Sequence, residues 1–245
     1  MKKFIPLILV VLMVSCTGTG YLEKALSNPE EAKRIRISNT PIESLPASIG
    51  DLKNLEKLIL FRNRLEVIPS EIGNLSNLTE LVISSNKLTE LPEEIGNLKS
   101  LKKLSLKNNA IKYLPSSIGE LENLEELYLD SNNLDSLPPE IGNLKNLRIL
   151  SLSRNQLRKL PPELGNLESL EFLIIGKNNL RYLPYEIGNL EGLKELNLAH
   201  CGAAIEIPPS YGNLRNLDFL YIDQSNVLSY SLRNIRPGCE IVIYR

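Results

Sequence analysis

The sequence predicts an α/β solenoid, with a parallel β-sheet on its concave face and irregular or 3-10 turns on its convex face. The first observation behind this prediction is a unit of 23 residues that repeats from Leu45 onward. The second is a short period-two alternation in each unit, which is typical of a strand with one buried face. The aligned units start at Leu45, Ile68, Leu91, Leu114, Leu137, Leu160, Leu183 and Ile207. The last spacing is 24 residues, which indicates one inserted residue around positions 202–204.

The composition of the chain agrees with one small unit copied many times. The chain has 245 residues, no Trp and only 5 % aromatic residues, so leucine and isoleucine must fill the core. Basic and acidic residues are balanced, at 28 and 29, without a long block of like charge. Nucleic-acid-binding proteins usually carry a basic face or stripe, so this balance argues against a nucleic-acid partner.

The unit at residues 91–113 shows what each position contributes. The alternation at residues 104–106 marks the strand, and apolar residues on both arms of the unit point into a shared core. These apolar residues are Ile95, Leu98, Leu101, Leu104, Leu106 and Ile111. Pro92 lacks an N–H donor, which prevents the returning arm from becoming a strand, and Gly96 is expected to permit the turn that follows. Because one unit cannot bury its leucines alone, the units must stack, with strands about 4.8 Å apart.

The pattern LxxLxLxxNxL in each unit resembles the leucine-rich-repeat signature and extends over about 185 residues. The chain resembles bacterial leucine-rich lipoproteins with 23-residue LPxxIGxLxNLxxLxLxxNxL units, which implies a horseshoe-shaped solenoid. The resemblance also implies that one asparagine of each unit turns inward and bonds the backbone of adjacent turns. This ladder comprises Asn63, Asn86, Asn109, Asn132, Asn155 and Asn178. The family tolerates cysteine at the next position, so we interpret Cys201 as a buried substitute in the ladder rather than as a reactive thiol.

The first sixteen residues resemble the leader of a bacterial lipoprotein. Two lysines are followed by an apolar run, residues 4–14, which is too short to span a bilayer as a helix because that requires about 20 residues. Ser15 and Cys16 end this run and resemble a lipobox, in which cleavage precedes the cysteine and its sulfur receives a diacylglyceryl group. Met13 departs from the leucine that this family favours. The alternatives are ordinary cleavage near Ser15 and a cysteine in an uncleaved segment.

Lipidation at Cys16 predicts a chain anchored to the bacterial envelope by lipid only. Thr17 is not the aspartate that retains many lipoproteins at the inner membrane, so the outer membrane or the cell surface is the favoured location. The predicted organisation is a signal peptide (1–15), a lipidated tether (16–20), an N-terminal cap with a degenerate first repeat (21–44), leucine-rich repeats (45–228) and a C-terminal cap (229–245).

Both caps carry local patterns of their own. In the N-terminal cap, Asn28, Pro29 and Glu31 predict a helix start with a capping box. Residues 35–37 then predict a first strand, and residues 241–243 predict the last edge strand. Residues 25–38 also resemble the entry cap of the bacterial lipoproteins.

Residues between the inward-facing leucines should point out of the concave face in columns along the stack. The first column is Lys57, Glu80, Lys103, Glu126, Ile149, Phe172, Glu195 and Phe219. The second is Arg36, Ile59, Val82, Ser105, Tyr128, Ser151, Ile174, Asn197 and Tyr221. The third is Phe61, Ser84, Lys107, Asp130, Ser153, Gly176, Ala199 and Asp223. Because these positions do not build the core, their side chains can serve a partner.

Two apolar groups on this face are candidate protein-binding sites. Ile149, Phe172 and Ile174 should be adjacent, with Phe219 and Tyr221 two turns farther along and Tyr128 beside them. A smaller group is Ile59, Phe61 and Val82. Clustered apolar residues with a charged rim are typical of an interface core, although single exposed apolar residues are common on any protein surface. The alternating column from Lys57 to Glu126 predicts a solvated ladder of opposite charges.

The sequence offers little for catalysis, and we predict no cofactor and no metal. His200 is the only histidine and has no partner that the sequence identifies, so it is interpreted as a surface residue. The cysteines and this histidine lack zinc-site spacing, and no glycine-rich phosphate loop precedes a helix. Cys201 and Cys239 should lie roughly 10 Å apart, which is too far for a disulfide, so both are expected to stay reduced.

Three functional hypotheses follow, and the fold alone does not decide between them. The first is a non-enzymatic scaffold that binds a host or envelope protein through its concave sheet. The second is a structural or self-associating envelope scaffold that depends on the 241–243 edge. The third is an enzyme that depends on His200, for which the sequence suggests no substrate.

Overall fold

The computed structural model describes residues 19–202, 205–224 and 235–244. Within them the chain forms one open parallel sheet whose strands follow the order of the chain, as the repeat predicts. The strands are β1 (Arg34–Arg36), β2 (Lys57–Ile59), β3 (Glu80–Val82), β4 (Lys103–Ser105), β5 (Glu126–Tyr128), β6 (Ile149–Ser151), β7 (Phe172–Ile174), β8 (Glu195–Asn197), β9 (Phe219–Asp223) and β10 (Glu240–Tyr244). Each strand pairs with the next, so the fold is the predicted α/β solenoid.

The convex side consists of short 3-10 helices, one for each turn. They span Ala47–Asp51, Ser70–Asn74, Glu93–Asn97, Ser116–Glu120, Pro139–Asn143, Pro162–Asn166, Tyr185–Asn189 and Pro209–Asn213. A proline with extended backbone precedes each helix; Pro92, for example, has φ −69° and ψ 150°. These 3-10 helices confirm the prediction that the returning arm is not a strand. The proline before each helix lacks the N–H donor that a strand would need.

The glycine of the convex arm has a different role from the predicted one. Gly96 lies inside its 3-10 helix and does not adopt a positive φ, so it is not required for a turn. A Cβ added to Gly96 would lie 2.6 Å from the carbonyl oxygen of Ser117 on the next turn, and at Gly142 the distance to the Glu163 carbonyl would be 2.3 Å. Close stacking of neighbouring convex arms therefore selects glycine.

The left-handed backbone conformation occurs elsewhere in each turn, at the residue just before the ladder position. The residues there with positive φ are Asn39, Arg62, Ser85, Asn108, Ser131, Arg154, Lys177 and His200. Non-glycine residues adopt this region only where the surrounding structure imposes it. In this chain the paired strand that precedes each of these residues and the ladder residue that follows it hold the backbone in this conformation.

The asparagine ladder forms as the family resemblance implies. The Asn132 amide donates to the carbonyl oxygens of Leu106 and Leu129, each at 3.0 Å, and its Oδ1 accepts from the backbone N–H of Ile111 at 3.1 Å. The other five asparagines repeat the amide bond to a carbonyl 26 residues earlier. A buried amide is costly unless it is paired, so these bonds tie neighbouring turns together.

Cys201 continues the ladder, which confirms its interpretation as a structural residue. Its thiol is buried and lies 3.0 Å from the carbonyl oxygen of Ile175, also 26 residues earlier. Burial raises the pKa of this thiol to about 12, so it remains protonated and can donate to that carbonyl. Cys239 is likewise a free thiol.

The N-terminal cap differs in detail from its prediction. Helix α1 spans Thr19–Ser27 and ends before Asn28, and a separate 3-10 turn follows at Pro29–Glu31. Asn28 precedes that turn without a side-chain capping bond, so the predicted capping box is wrong. The reason is the 3-10 turn itself, in which the Glu31 N–H that a capping side chain would bond donates instead to the Asn28 backbone carbonyl at 3.1 Å. Leu22 of α1 is buried and belongs to the same hydrophobic core as the repeats.

Candidate functional site

The concave columns predicted from the repeat are those of the sheet. Arg36, Ile59 and Val82 are register partners across β1–β3, and Ile149 and Phe172 are partners across β6–β7. The leucines between them are fully buried, so the outward residues are not needed for the core. The face is therefore a set of independent positions on a rigid sheet.

The C-terminal patch is the apolar part of this face and comprises Ile149, Phe172, Ile174, Phe219 and Tyr221. Its first three members lie on neighbouring strands, and the other two lie on β9, two strands beyond Phe172, as predicted. The rings of Phe219 and Tyr221 stack with centroids 6.4 Å apart, and the Phe219 side chain is 40 % exposed. The remaining members are half-buried by their neighbours.

Glu195 lies within the C-terminal patch, between Phe172 on one side and Phe219 on the other. Among the described residues, no group donates a hydrogen bond to its carboxylate and no cation forms an ion pair with it. Burial against the aromatic side chains raises the pKa of its carboxyl group, because the charged form loses hydration there. The patch therefore contains one acid whose charge nothing in the described part of the chain neutralises.

Tyr128, which the sequence assigned to the binding face, is engaged within the molecule. Its hydroxyl donates to Glu126 Oε2 at 3.1 Å, and the ammonium groups of Lys103 and Lys107 lie 5.2 and 4.3 Å from its ring centroid. Lys107 also pairs with Asp130 at 3.1 Å. These contacts make the centre of the concave face a network of charges that satisfy one another.

The alternating charged column is a ladder of ion pairs, as predicted. Lys57 Nζ lies 2.7 Å from Glu80, and Lys103 Nζ lies 2.8 Å from Glu126. The hydrogen bond to Glu126 raises the pKa of Lys103, and Lys103 in turn lowers the pKa of Glu126 despite its partial burial. Cross-strand pairs of this kind stabilise a sheet rather than recruit a ligand.

The N-terminal patch, made of Ile59, Phe61 and Val82, is a smaller apolar group. Ile59 and Val82 are register partners on β2 and β3, and all three side chains are half-buried. The Arg62 guanidinium covers the Phe61 ring at 5.0 Å. This patch is thus partly covered by the chain itself.

His200 is an exposed residue, as interpreted from the sequence, but it has partners that the sequence did not identify. Its Nδ1 lies 3.2 Å from Asp223 Oδ1, and its backbone N–H donates to the same carboxylate at 2.8 Å. The Tyr244 ring meets the imidazole edge to face at 5.6 Å. The repeat period could not reveal the Tyr244 contact, because this contact depends on how β10 pairs with β9 after residues 225–234. The described residues contain no cluster of three or more metal-ligating side chains.

Sequence reasoning missed a second charged row, at the edge where the strands begin. Arg148 Nε and Lys194 Nζ both contact Glu171, at 2.8 and 2.7 Å. Hydrogen bonds from these two cations lower the pKa of Glu171 to about 2. The three residues line a groove of about 630 Å³ together with Asp218 and Arg236. The sequence did carry a signal for this row, because the residues just before the predicted strands also alternate in charge.

Cys16, the predicted lipidation site, lies outside the described residues, as do the signal peptide and most of the tether. None of the helices in the described ranges is long and apolar enough to cross a membrane.

Comparison with known proteins agrees with this geometry. A family model described as "Leucine rich repeat" matches residues 53–111 and 76–134, and one described as "Leucine-rich repeat region" matches residues 127–200. A leucine-rich-repeat protein of Leptospira interrogans is 31 % identical, with 91 % of this chain and 77 % of that chain covered and a TM-score of 0.51. No protein of curated function matches the chain.

Two further solved structures share the fold. The ectodomain of the Arabidopsis thaliana receptor kinase GASSHO1/SCHENGEN3 is 27 % identical over 90 % of this chain, with a TM-score of 0.69. This chain covers only 30 % of that ectodomain. The leucine-rich-repeat domain of the type III effector XopL is 24 % identical, covers 92 % of this chain and 80 % of its own, and has a TM-score of 0.78. The leucine-rich repeat is generally a protein-binding scaffold. With ten parallel strands, a 23-residue unit and these relatives, the chain belongs to the leucine-rich-repeat family.

Proposed function

We propose that the chain is a non-enzymatic scaffold that binds a protein partner through the concave surface of its C-terminal repeats. The observation that carries this proposal is the C-terminal patch, in which apolar side chains on three strands surround the unpaired Glu195. Interface cores are apolar and aromatic with a polar rim, and monomeric surfaces rarely group such residues without a use. The GASSHO1/SCHENGEN3 ectodomain, a relative with the same fold, was solved in complex with CASPARIAN STRIP INTEGRITY FACTOR 2, which supports a protein or peptide as the ligand class.

The test is a capture experiment with residues 17–245 as bait. Envelope extract and a mixture of serum and extracellular-matrix proteins are offered separately to the wild type and to Phe172→Asp/Ile174→Asp. Because both side chains point outward from β7, circular dichroism should show an unchanged fold. Loss of a captured protein with this variant is the expected result.

Ile59→Asp/Val82→Asp is the matched control, since it places two acids in the N-terminal patch. This control should still capture the partner. Equal capture by the wild type and the β7 variant would reject the C-terminal patch as the binding site, and loss only with the control would transfer the role to the N-terminal patch.

The proposal includes anchoring of the chain to the bacterial envelope through lipid on Cys16, with the outer membrane or the cell surface as its location. The apolar run that ends at Ser15 and Cys16 supports this. A full chain expressed in bacteria should incorporate labelled palmitate and fractionate with the membrane. Cys16→Ser should lose both properties. If the wild type takes up no label and Cys16→Ser fractionates as the wild type does, the lipid anchor is excluded.

A self-associating scaffold is the second candidate, because β10 is the last strand of the sheet in the described residues and carries exposed apolar side chains. Ile243 is 48 % exposed and Tyr244 is 39 % exposed at this end of the sheet. An uncovered edge strand can pair with a second chain. Sedimentation of the wild type and of Ile243→Lys distinguishes the two candidates: only the self-associating scaffold predicts an oligomer that the substitution dissociates.

A further inference from the structure

The basic corner is a group of five cations where the β6 and β7 turns leave the concave sheet. It comprises Arg154, Arg158, Lys159, Lys177 and Arg181. Residues 154–159 and 177–182 contain no acid, and all five side chains are exposed. Among the described residues, none of the five has an ion-pair partner. The charged columns described above differ, because their lysines and arginines contact glutamates or aspartates.

The fold holds these cations close together. Arg154 and Lys177 occupy the left-handed position of successive turns, with φ 58° and 60°, so both are presented at the same corner. The Arg181 backbone N–H donates to the Arg158 carbonyl at 3.3 Å, which places these two arginines on adjacent turns. Acids on the adjoining turns form no ion pair with them in the described part of the chain: the Asp135 carboxylate accepts a bond from Ser136 at 3.0 Å, and Glu206, whose N–H donates to the Arg181 carbonyl at 3.0 Å, has no ion-pair partner there.

The basic corner is continuous with the C-terminal patch. Gly176 lies two residues after Ile174 of the patch, and the third column here consists of Gly176 and Ala199, two small residues that are both buried. The Arg154 N–H donates to the Gly176 carbonyl at 2.9 Å, and the Lys177 N–H donates to the Ala199 carbonyl at 2.8 Å. A shallow surface of small residues therefore connects the C-terminal patch to the five unpaired cations. An extended peptide chain can lie across this surface.

Resting on the proposed function, we infer that the partner presents an extended acidic segment: its apolar side chains occupy the C-terminal patch and its aspartates or glutamates contact the basic corner. Charge complementarity favours a carboxylate-bearing segment, since arginine binds carboxylates through two parallel hydrogen bonds. The positive charge is confined to two turns beside an apolar surface. A nucleic acid would instead need a longer basic stripe.

The first test selects short random peptides displayed on phage against the full chain held in mild detergent. Peptides enriched on the wild type should combine apolar residues with a run of aspartate or glutamate. Selection on Arg158→Glu/Arg181→Glu should keep the apolar preference and lose the acidic one. Selection on Phe172→Asp/Ile174→Asp should lose the apolar preference.

The outcomes separate this inference from the proposed function. Apolar enrichment without acidic enrichment on the wild type would overturn the acidic segment while leaving the C-terminal patch as a binding site. Enrichment that the β7 variant does not alter would overturn both. A single-stranded oligonucleotide of equal charge is offered in parallel, and preferential binding of that oligonucleotide would also reject the inference.

The second test measures the affinity of the most enriched acidic peptide by fluorescence polarisation. Arg158→Glu/Arg181→Glu should weaken binding by about tenfold or more. The matched control Arg64→Glu/Lys112→Glu reverses two exposed cations on the same edge of earlier turns, with the same change in net charge. The control should change the affinity by less than about twofold. Equal weakening by both variants would mean that net charge alone attracts the peptide, and the basic corner would lose its role.

Discussion

The two halves of the concave face share one backbone and one core but differ in how their outward groups are satisfied. On β2–β5, Lys57 pairs with Glu80, and Lys103 pairs with Glu126. On β6–β9 the same column is mainly apolar, and Glu195 stands in it without a partner in the described part of the chain. Because the buried leucines are equivalent in both halves, the difference comes from positions that folding does not constrain. The half with unsatisfied groups is therefore the half that we propose as the binding surface.

The largest effect should come from the ladder, which is strong in the middle of the stack and weaker towards its end. Asn132→Ala removes the acceptor of the Ile111 N–H and two donated bonds, and should cost about 3 kcal/mol. Cys201→Ala removes one bond from a weak thiol donor and should cost about 1 kcal/mol. Urea unfolding of both variants checks this order. Equal costs would contradict the contrast between amide and thiol positions.

The next test introduces a charged side chain into the apolar half of the concave face. Ile149→Lys places a cation beside Glu126 in the register of β5 and β6. It should weaken capture of the partner by about tenfold, with the thermal midpoint nearly unchanged because the position is outward. The reciprocal substitution Lys57→Ile should not reduce capture. If Ile149→Lys binds as the wild type does, then the C-terminal patch does not contribute to affinity.

A smaller, pH-dependent effect is expected at the second charged row, where the strands begin. The pKa of Glu171 lies at about 2 in the folded chain, below its ordinary value of 4.5, so folding favours the ionised form. This stabilisation is complete above pH 4.5 and is lost as the pH falls towards 2. Glu171→Gln should thus be less stable than the wild type at neutral pH, by less than about 1 kcal/mol, and the difference should vanish in acid. A difference that does not depend on pH would assign the loss to packing instead.

Glu195 should show the smallest effect, with the opposite sign. Burial raises its pKa above the ordinary 4.5, so the ionised form is penalised in the folded chain. The penalty is absent below pH 4.5 and is complete once the pH exceeds the folded pKa. Glu195→Gln should therefore match the wild type in acid and be slightly more stable at neutral pH in thermal melts. A variant that is less stable at neutral pH would indicate that Glu195 has a partner that stabilises its charge.

Much of the architecture could be predicted because it depends on short-range periods. The alternation at residues 104–106 located β4 to within one residue, and the constant spacing of the units correctly placed Ile149 beside Phe172. Two local assignments were wrong. Glycine is required at Gly96 by a neighbouring carbonyl rather than by its own φ, and the Glu31 N–H bonds the backbone carbonyl of Asn28 instead of its side chain. Both errors arose because a single residue was interpreted without the turn beside it.

The candidate site could be predicted only in part. The members of the C-terminal patch were identified because every outward position follows from the repeat. The Tyr128 hydroxyl bond and the His200 ion pair could not be identified, because side chains along one strand or on adjacent turns can pair in several ways. The basic corner was also missed, since its five cations are separated in sequence by ladder residues and by a full turn.

By itself, the sequence of this chain determined the unit, the stacking direction and the orientation of each concave residue, because these follow from periods within 23 residues. The buried ladder was implied by the resemblance of the unit to the leucine-rich-repeat family. Only the tertiary structure decided which charges neutralise one another and which remain unpaired. Pairing requires distances of about 3 Å between atoms on different turns. Those distances depend on side-chain conformations and on the docking of β10, neither of which a repeat period encodes.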